Sequence, residues 1–170
     1  MVNPLIDWLY IHLYRFIIAP LLITGFSVLA LFGHRKAREE LKMRLPHGTD
    51  HPWRDLPKRT QPIWIHCASG EFEYAKPVIS LFKKIHPQIP VLVTYFSPSF
   101  RQQVQKFTGV NMSCPLPWDF PGLLSTFIHH HQPRALLIAR TDLWPEVLYQ
   151  THKQQIPTLL FSATKSKITK

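Results

Sequence analysis

Two hydrophobic patterns divide the chain. From Phe16 to Gly33 the sequence FIIAPLLITGFSVLALFG runs 18 residues without a charge, the lower limit for crossing a hydrocarbon core of roughly 30 Å. From Ile63 onward, short apolar runs alternate with amphipathic stretches. IWIHCAS predicts a strand, FEYAKPVISLFKKIHP a helix, IPVLVTYFS a strand, SFRQQVQKFTG and GLLSTFIHHHQP helices, ALLIAR a strand, DLWPEVLYQTHKQQ a helix and IPTLLFSAT a strand. In the first helix Ala75, Val78, Ile79, Phe82 and Ile85 recur at helical spacing, with Lys76, Lys83 and Lys84 outside the stripe. VLV, ALLIA and TLLF are unbroken apolar runs, as expected of strands buried on both faces. The alternation predicts an α/β fold: a single Rossmann-like domain with a parallel sheet, preceded by an N-terminal membrane-anchor helix. Right-handed crossovers place every strand-to-helix turn on one edge of such a sheet, where ligands bind.

The same pattern divides the chain into an anchor and basic segment (1–44), a connector (45–62) and the folded domain (63–170). Trp8, Tyr10 and Tyr14 precede the apolar run where an aromatic belt would lie, and HRKAREELKMR follows it with six basic groups counting His34. That bias places the C-terminal bulk on the cytoplasmic side of a membrane. A cleaved signal fits poorly, because Asp7 stands where a basic residue is wanted and no A-x-A site follows. A buried core helix, or an interfacial one kinked at Pro20, passes the same test of length and composition. The connector, LPHGTDHPWRDLPKRTQP, holds four prolines and little periodicity.

Composition narrows the possible functions. With 45% apolar residues and 12% aromatics the chain has the material for a core despite 16 prolines. Cys67 and Cys114 are too few for a disulfide framework and lack finger-like spacing. The charge of +10 is spread over the connector and helix faces without an RNP-like or helix-turn-helix pattern, so no nucleic-acid partner is expected. His129, His130 and His131 are consecutive on a helical run and point in different directions, which makes them poor joint ligands. No metal and no cofactor are expected.

Ser69, Gly70 and Glu71 occupy the first strand-to-helix turn, where free backbone N–H groups and a positive helix end face a ligand. Glu71 would face a substrate there. Equally, Glu71 or Glu73 would favour the helix N-terminus electrostatically, with Ser69 as cap. Trp118 and Asp119 in PLPWDFPG would stack on and bond to a sugar, or form an ordinary turn packed by an aromatic. TDLWPEV reads as a binding segment or as a helix start with Asp142 near its cap and Pro145 in its first turn.

WIHCASGEFEYAKP resembles the WIHAVSxGEvxAAKP region of the Kdo transferases, inverting enzymes that attach 3-deoxy-D-manno-octulosonic acid to lipid A precursors. PVLVTYFSPSFRQQVQ resembles that family's threonine-rich turn, PLPWDFPGLLSTFIHHHQPRALLIARTDLWPEVL its YLPYDLP and ETELWPNLL segments, and IPTLLFSATKS its IPxxLxNARLS. The resemblance implies the N-terminal, acceptor-binding half of a GT-B glycosyltransferase with Glu71 as catalytic base. Ser69, Gly70, Thr94 and Ser97 would donate to phosphates or sugar hydroxyls, with Trp118, Asp119, Arg140, Thr141 and Asp142 in the acceptor cleft. The implied partners are a lipid A precursor or Kdo-lipid A, the bacterial inner membrane, and a second protein or domain supplying the CMP-Kdo donor site.

The departures are a turn one residue shorter before Glu71, Arg140 in place of a family glutamate, and Ser162 and Thr164 in place of the Asn and Arg of NARLS. These leave a second expectation open, a membrane-anchored, non-catalytic Kdo-lipid A binding subunit serving a separate enzyme such as a Kdo hydrolase.

Overall fold

The computed structural model describes residues 4–44 and 51–163. The side chain of Trp8, connector residues 45–50 and Thr164 lie outside the described residues. The N-terminal arm comprises α1 (Pro4–Leu13), one π-helical turn (Tyr14–Ile18), α2 (Ala19–Leu31) and α3 (Arg35–Arg44). The wide π turn ends just before Pro20, whose ring has no N–H and crowds the carbonyl four residues back. A Schellman-type stop closes α2: Gly33 takes φ 87°, and the N–H of His34 reaches the carbonyl of Leu29.

The domain then runs β1 (Ile63–Cys67), α4 (Phe72–Ile85), β2 (Val91–Tyr95), α5 (Arg101–Lys106), β3 (Met112–Pro115), α6 (Pro121–His131), β4 (Ala135–Ala139), α7 (Pro145–Lys153) and β5 (Thr158–Phe161). All neighbouring strands pair in parallel, in the order β3-β2-β1-β4-β5. The expected single parallel α/β domain is therefore present. Strand parity builds two cores. Ile65, Cys67, Val91, Val93 and Tyr95 pack with Phe72, Ala75 and Ile79 of α4. Trp64, Leu92, Leu136 and Ile138 pack with Leu124, Phe127 and Ile128 of α6 and Val147 of α7.

Three expectations need correction. The sequence pattern gave no strand between α5 and α6, yet Met112–Pro115 pairs with Leu92–Tyr95 as β3; four residues ending in proline carry too little β-branched signal to read as a strand. TLLF was expected to be buried on both faces. As β5 it is the sheet edge, and Leu159 and Leu160 are 60% and 40% exposed, since no described element covers them. Arg44, counted among the groups flanking the anchor, instead sits inside the fold.

Connector residues also enter the core. Trp53 is 2% exposed and packs edge-on to Phe127 and His130, while the N–H groups of Arg59 and Gln61 bond the carbonyls of His130 and His131. The histidine tract is divided accordingly. His129 is exposed, His130 bonds the carbonyl of Leu56, and His131 is buried against Phe127 and Trp53. Among the described residues no cluster of metal-ligating side chains occurs.

Burial, reinforced by neighbouring His130, pushes the His131 imidazole down to about 4. A depressed histidine adds stability that is complete above its unfolded value near 6.5 and is lost as pH falls towards 4. Between pH 7 and pH 5 the loss from this group is about 2 kcal/mol. Urea titrations at the two pH values should therefore show a smaller pH difference for His131→Phe than for the parent chain; equal differences would remove His131 from this role.

Candidate functional site

The order of strands reverses between β1 and β4, so their C-terminal ends flank the crevice where ligands of such sheets sit. Glu71 follows β1 and Asp142 follows β4. The two are close enough for the charge of Asp142 to act on the Glu71 carboxyl.

Glu71 occupies the cap position of α4 but bonds backwards. Its Oε2 accepts from the N–H of Ser69 at 2.8 Å and from the Ser69 hydroxyl at 3.2 Å. Ser69 is thus not the helix cap that the sequence allowed; its side chain serves the glutamate. Partial burial pushes the Glu71 carboxyl up, but the hydrogen bonds from Ser69 and from Glu71's own backbone outweigh it and hold the group below the usual carboxylate range. Glu71 is ionised at neutral pH. Gly70 is half-buried, and a Cβ there would meet only the ring edge of Phe100 at 3.8 Å.

Asp142 is held from inside the domain. Trp64 Nε1 donates to Thr94 Oγ1 at 2.8 Å, Thr94 Oγ1 lies 2.9 Å from His66 Nδ1, and His66 Nε2 lies 2.6 Å from Asp142 Oδ2. Trp144 Nε1 donates to the same Oδ2 at 3.1 Å. Trp64 and His66 share a face by strand alternation, and Thr94 is the β2 residue in register with His66. Burial raises the Asp142 carboxyl, while the bond and charge of His66 and the Trp144 N–H bring it below its ordinary value. Thr94 is fully buried, with its hydroxyl used within this network.

The remaining candidates are placed as follows. Ser97 is half-buried beside Ser99, their hydroxyls 2.7 Å apart, and its N–H joins that of Phe96 on the carbonyl of Ala68, tying the β2 turn to the β1 turn. Arg140 takes φ 63°, bonds Phe161 through its N–H, and lays its guanidinium over Tyr74. Thr141 is exposed and its carbonyl accepts the N–H of Leu143 in a three-residue turn.

Trp118 and Asp119 follow β3 and line a small pocket with Tyr14, Phe26 and Trp144 under the N-terminal arm. Trp118 is 9% exposed and packs against Phe26 of α2. Asp119 accepts the N–H groups of Glu146 and Val147, both at 3.0 Å, and so caps α7. Burial pushes its carboxyl up to about 6, against the pull of those donors. Asp142 is therefore not the cap of α7, which draws its cap from 27 residues upstream.

Two residues that the motifs did not single out are prominent here. His66 stands at the histidine of the WIH motif and shares the parity of Trp64, but inside an apolar run it was given no role. Arg15 reaches from the π turn to Glu146 in a two-pronged pair at 2.7 and 2.9 Å and lies over the Tyr149 ring. A cavity of about 550 Å³ lies on the outer side of β2 and β3, lined by Lys42, Arg101, Gln105 and Ser113 among others. None of the candidate residues lines it.

Fold and site together define a Rossmann-type α/β domain whose switch point presents two carboxylates. The family model described as 3-deoxy-D-manno-octulosonic-acid transferase (kdotransferase) matches residues 36–169, and the chain belongs to this family. Curated relatives named 3-deoxy-D-manno-octulosonic acid transferase include those of Bordetella pertussis, 30% identical over 60% of this chain and 25% of the relative, and Haemophilus influenzae, 31% identical over 62% and 25%. The protein of that name in Aquifex aeolicus is 32% identical over 59% of this chain and 28% of its own length. The matches thus span about a quarter of the length of these relatives.

Asp119→Ala should leave two N–H groups of α7 without their acceptor and cost about 1–2 kcal/mol. Urea denaturation measures this, and an unchanged midpoint would mean that the cap contributes nothing.

Proposed function

We propose that the chain is the acceptor-binding half of a Kdo transferase, with Glu71 as the base that takes the proton of a lipid A-type acceptor hydroxyl. The observation that carries this reading is an ionised, half-exposed Glu71 at the switch point, beside a second carboxylate, Asp142, in the turn after β4. As the acceptor oxygen attacks the anomeric carbon of the donor, the proton passes to Glu71, the new glycosidic bond forms with inversion, and the nucleotide leaves with its bonding electrons. The donor is positioned by a second domain or polypeptide, because a base without a held donor supplies no orientation.

The N-terminal arm supports seating on the inner membrane, with the domain on the cytoplasmic side. Leu9–Leu31 is long and apolar enough to cross a bilayer, yet Ile11, Tyr14 and Ala19 are buried against the protein and Arg15 pairs with Glu146 on α7. Leu21, Leu31 and Phe32 remain exposed, next to the exposed bases Arg35, Lys36 and Arg38. A helix packed along its own domain on one side and apolar on the other suits the interface plane, with the bases at anionic headgroups.

One observation favours the non-catalytic reading. Glu71 Oε2 is committed to Ser69, and a carboxylate held below its usual range is a weaker proton acceptor. A Kdo-lipid A binding subunit for a separate enzyme needs no base.

The deciding experiment measures binding of detergent-dispersed lipid A precursor and Kdo-lipid A, with CMP-Kdo in parallel, and then transfer with a donor half supplied in trans. Lipid binding without CMP-Kdo binding is expected, with transfer lost in Glu71→Ala. Transfer retained by that variant removes Glu71 as base; binding without any transfer selects the non-catalytic reading.

A further inference from the structure

We propose that His66 is a positioning residue: its ring fixes Asp142 through one carboxylate oxygen, Oδ2, so that the other, Oδ1, accepts a carbohydrate hydroxyl across the crevice from Glu71. This rests on the acceptor-binding reading above.

His66 has a side chain 1% exposed, in a face otherwise filled by Trp64, Leu92, Leu136 and Ile138. A polar ring there is costly unless both nitrogens are bonded, and both are. The protons can be placed in order. Trp64 Nε1–H and Trp144 Nε1–H only donate, to Thr94 Oγ1 and to Asp142 Oδ2. An ionised Asp142 only accepts, so His66 Nε2–H is the donor to it. In the neutral ring Nδ1 is then the acceptor, and the Thr94 hydroxyl donates to it. The chain of donors runs one way, from the core outward.

It ends with two N–H groups on Oδ2, and Oδ1 makes none of these bonds. Asp142 keeps 23% of its side chain exposed, where Arg140 at φ 63° and the Thr141–Leu143 turn deliver the chain to the crevice. Across the crevice the Asp142 charge acts on the Glu71 carboxyl and disfavours its ionised form. A ligand hydroxyl donating to Oδ1 would offset that repulsion. The neighbouring ring stack of Trp144 on Phe96, 5.2 Å between centroids, keeps the second donor to Oδ2 fixed.

The test combines binding with nitrogen-15 NMR of the whole chain. Lipid A precursor affinity should fall roughly tenfold or more in Asp142→Ala and in His66→Phe, since each removes a hydrogen bond to a charged group or its alignment. The double variant should bind no more weakly than either single one, and His66→Gln, whose amide can still donate to Asp142, should recover most of the affinity. Additive losses, or a folded His66→Phe that binds like the parent, overturn the proposal. In the parent chain His66 should be the Nε2–H tautomer, with that preference lost in Asp142→Ala. An Nδ1–H tautomer overturns the proposal even if His66→Phe fails to fold. A parent chain that binds no lipid A precursor refutes the acceptor reading and the ligand role of Oδ1 together, whereas a wrong tautomer with binding intact refutes the positioning role alone.

Discussion

The arrangement of the N-terminal arm on the domain depends on the buried guanidinium of Arg44. It donates to the carbonyls of Leu116 and Phe96 at 2.8 and 2.7 Å, pairs with Glu40 one helical turn back, and lies over the Phe96 ring at 4.1 Å. Burial pulls the guanidinium down and the Glu40 carboxyl up, each partly opposed by the other's charge. Such a pair is weak evidence of net stability, because desolvation consumes much of the attraction. What it does supply is geometry, since a planar fork with several fixed donors fits only one placement of α3 over the ends of β2 and β3.

From that fixed point the arm extends over the ligand edge of the sheet. Phe26 of α2 meets Phe96 and Trp118, and Phe96 stacks on Trp144. Turns after three different strands thus share one aromatic layer with the arm. Arg15 adds a second attachment at Glu146, whose other neighbours are Gln150 and the Asp119 cap. The helix that would touch lipid and the loops that carry the candidate site therefore form one packed unit.

Much of this was legible in the sequence. Alternating periods gave the parallel sheet, and the sheet's topology alone brings Glu71 and Asp142 to one edge although 70 residues separate them. What was not legible depends on long-range pairing. Asp119 looked like a sugar ligand because nothing local reveals that it caps α7, and Thr94 looked available because register with His66 is a property of two strands. Arg44 looked like one more juxtamembrane base, since burial of its guanidinium depends on carbonyls 52 and 72 residues away. The motifs placed Glu71 and Asp142 in the turns after β1 and β4, where the structure also has them. The division of labour within those turns required coordinates.

The uncovered strand β5 has a practical consequence. Leu159 and Leu160 project to opposite faces, both open to water, at an edge whose backbone groups on the outer side have no described partner. An apolar edge of this kind is a template for intermolecular strand pairing. Self-association of the purified domain through this edge would rise with concentration and would respond to a lysine placed at Leu159, without involving the crevice or the arm.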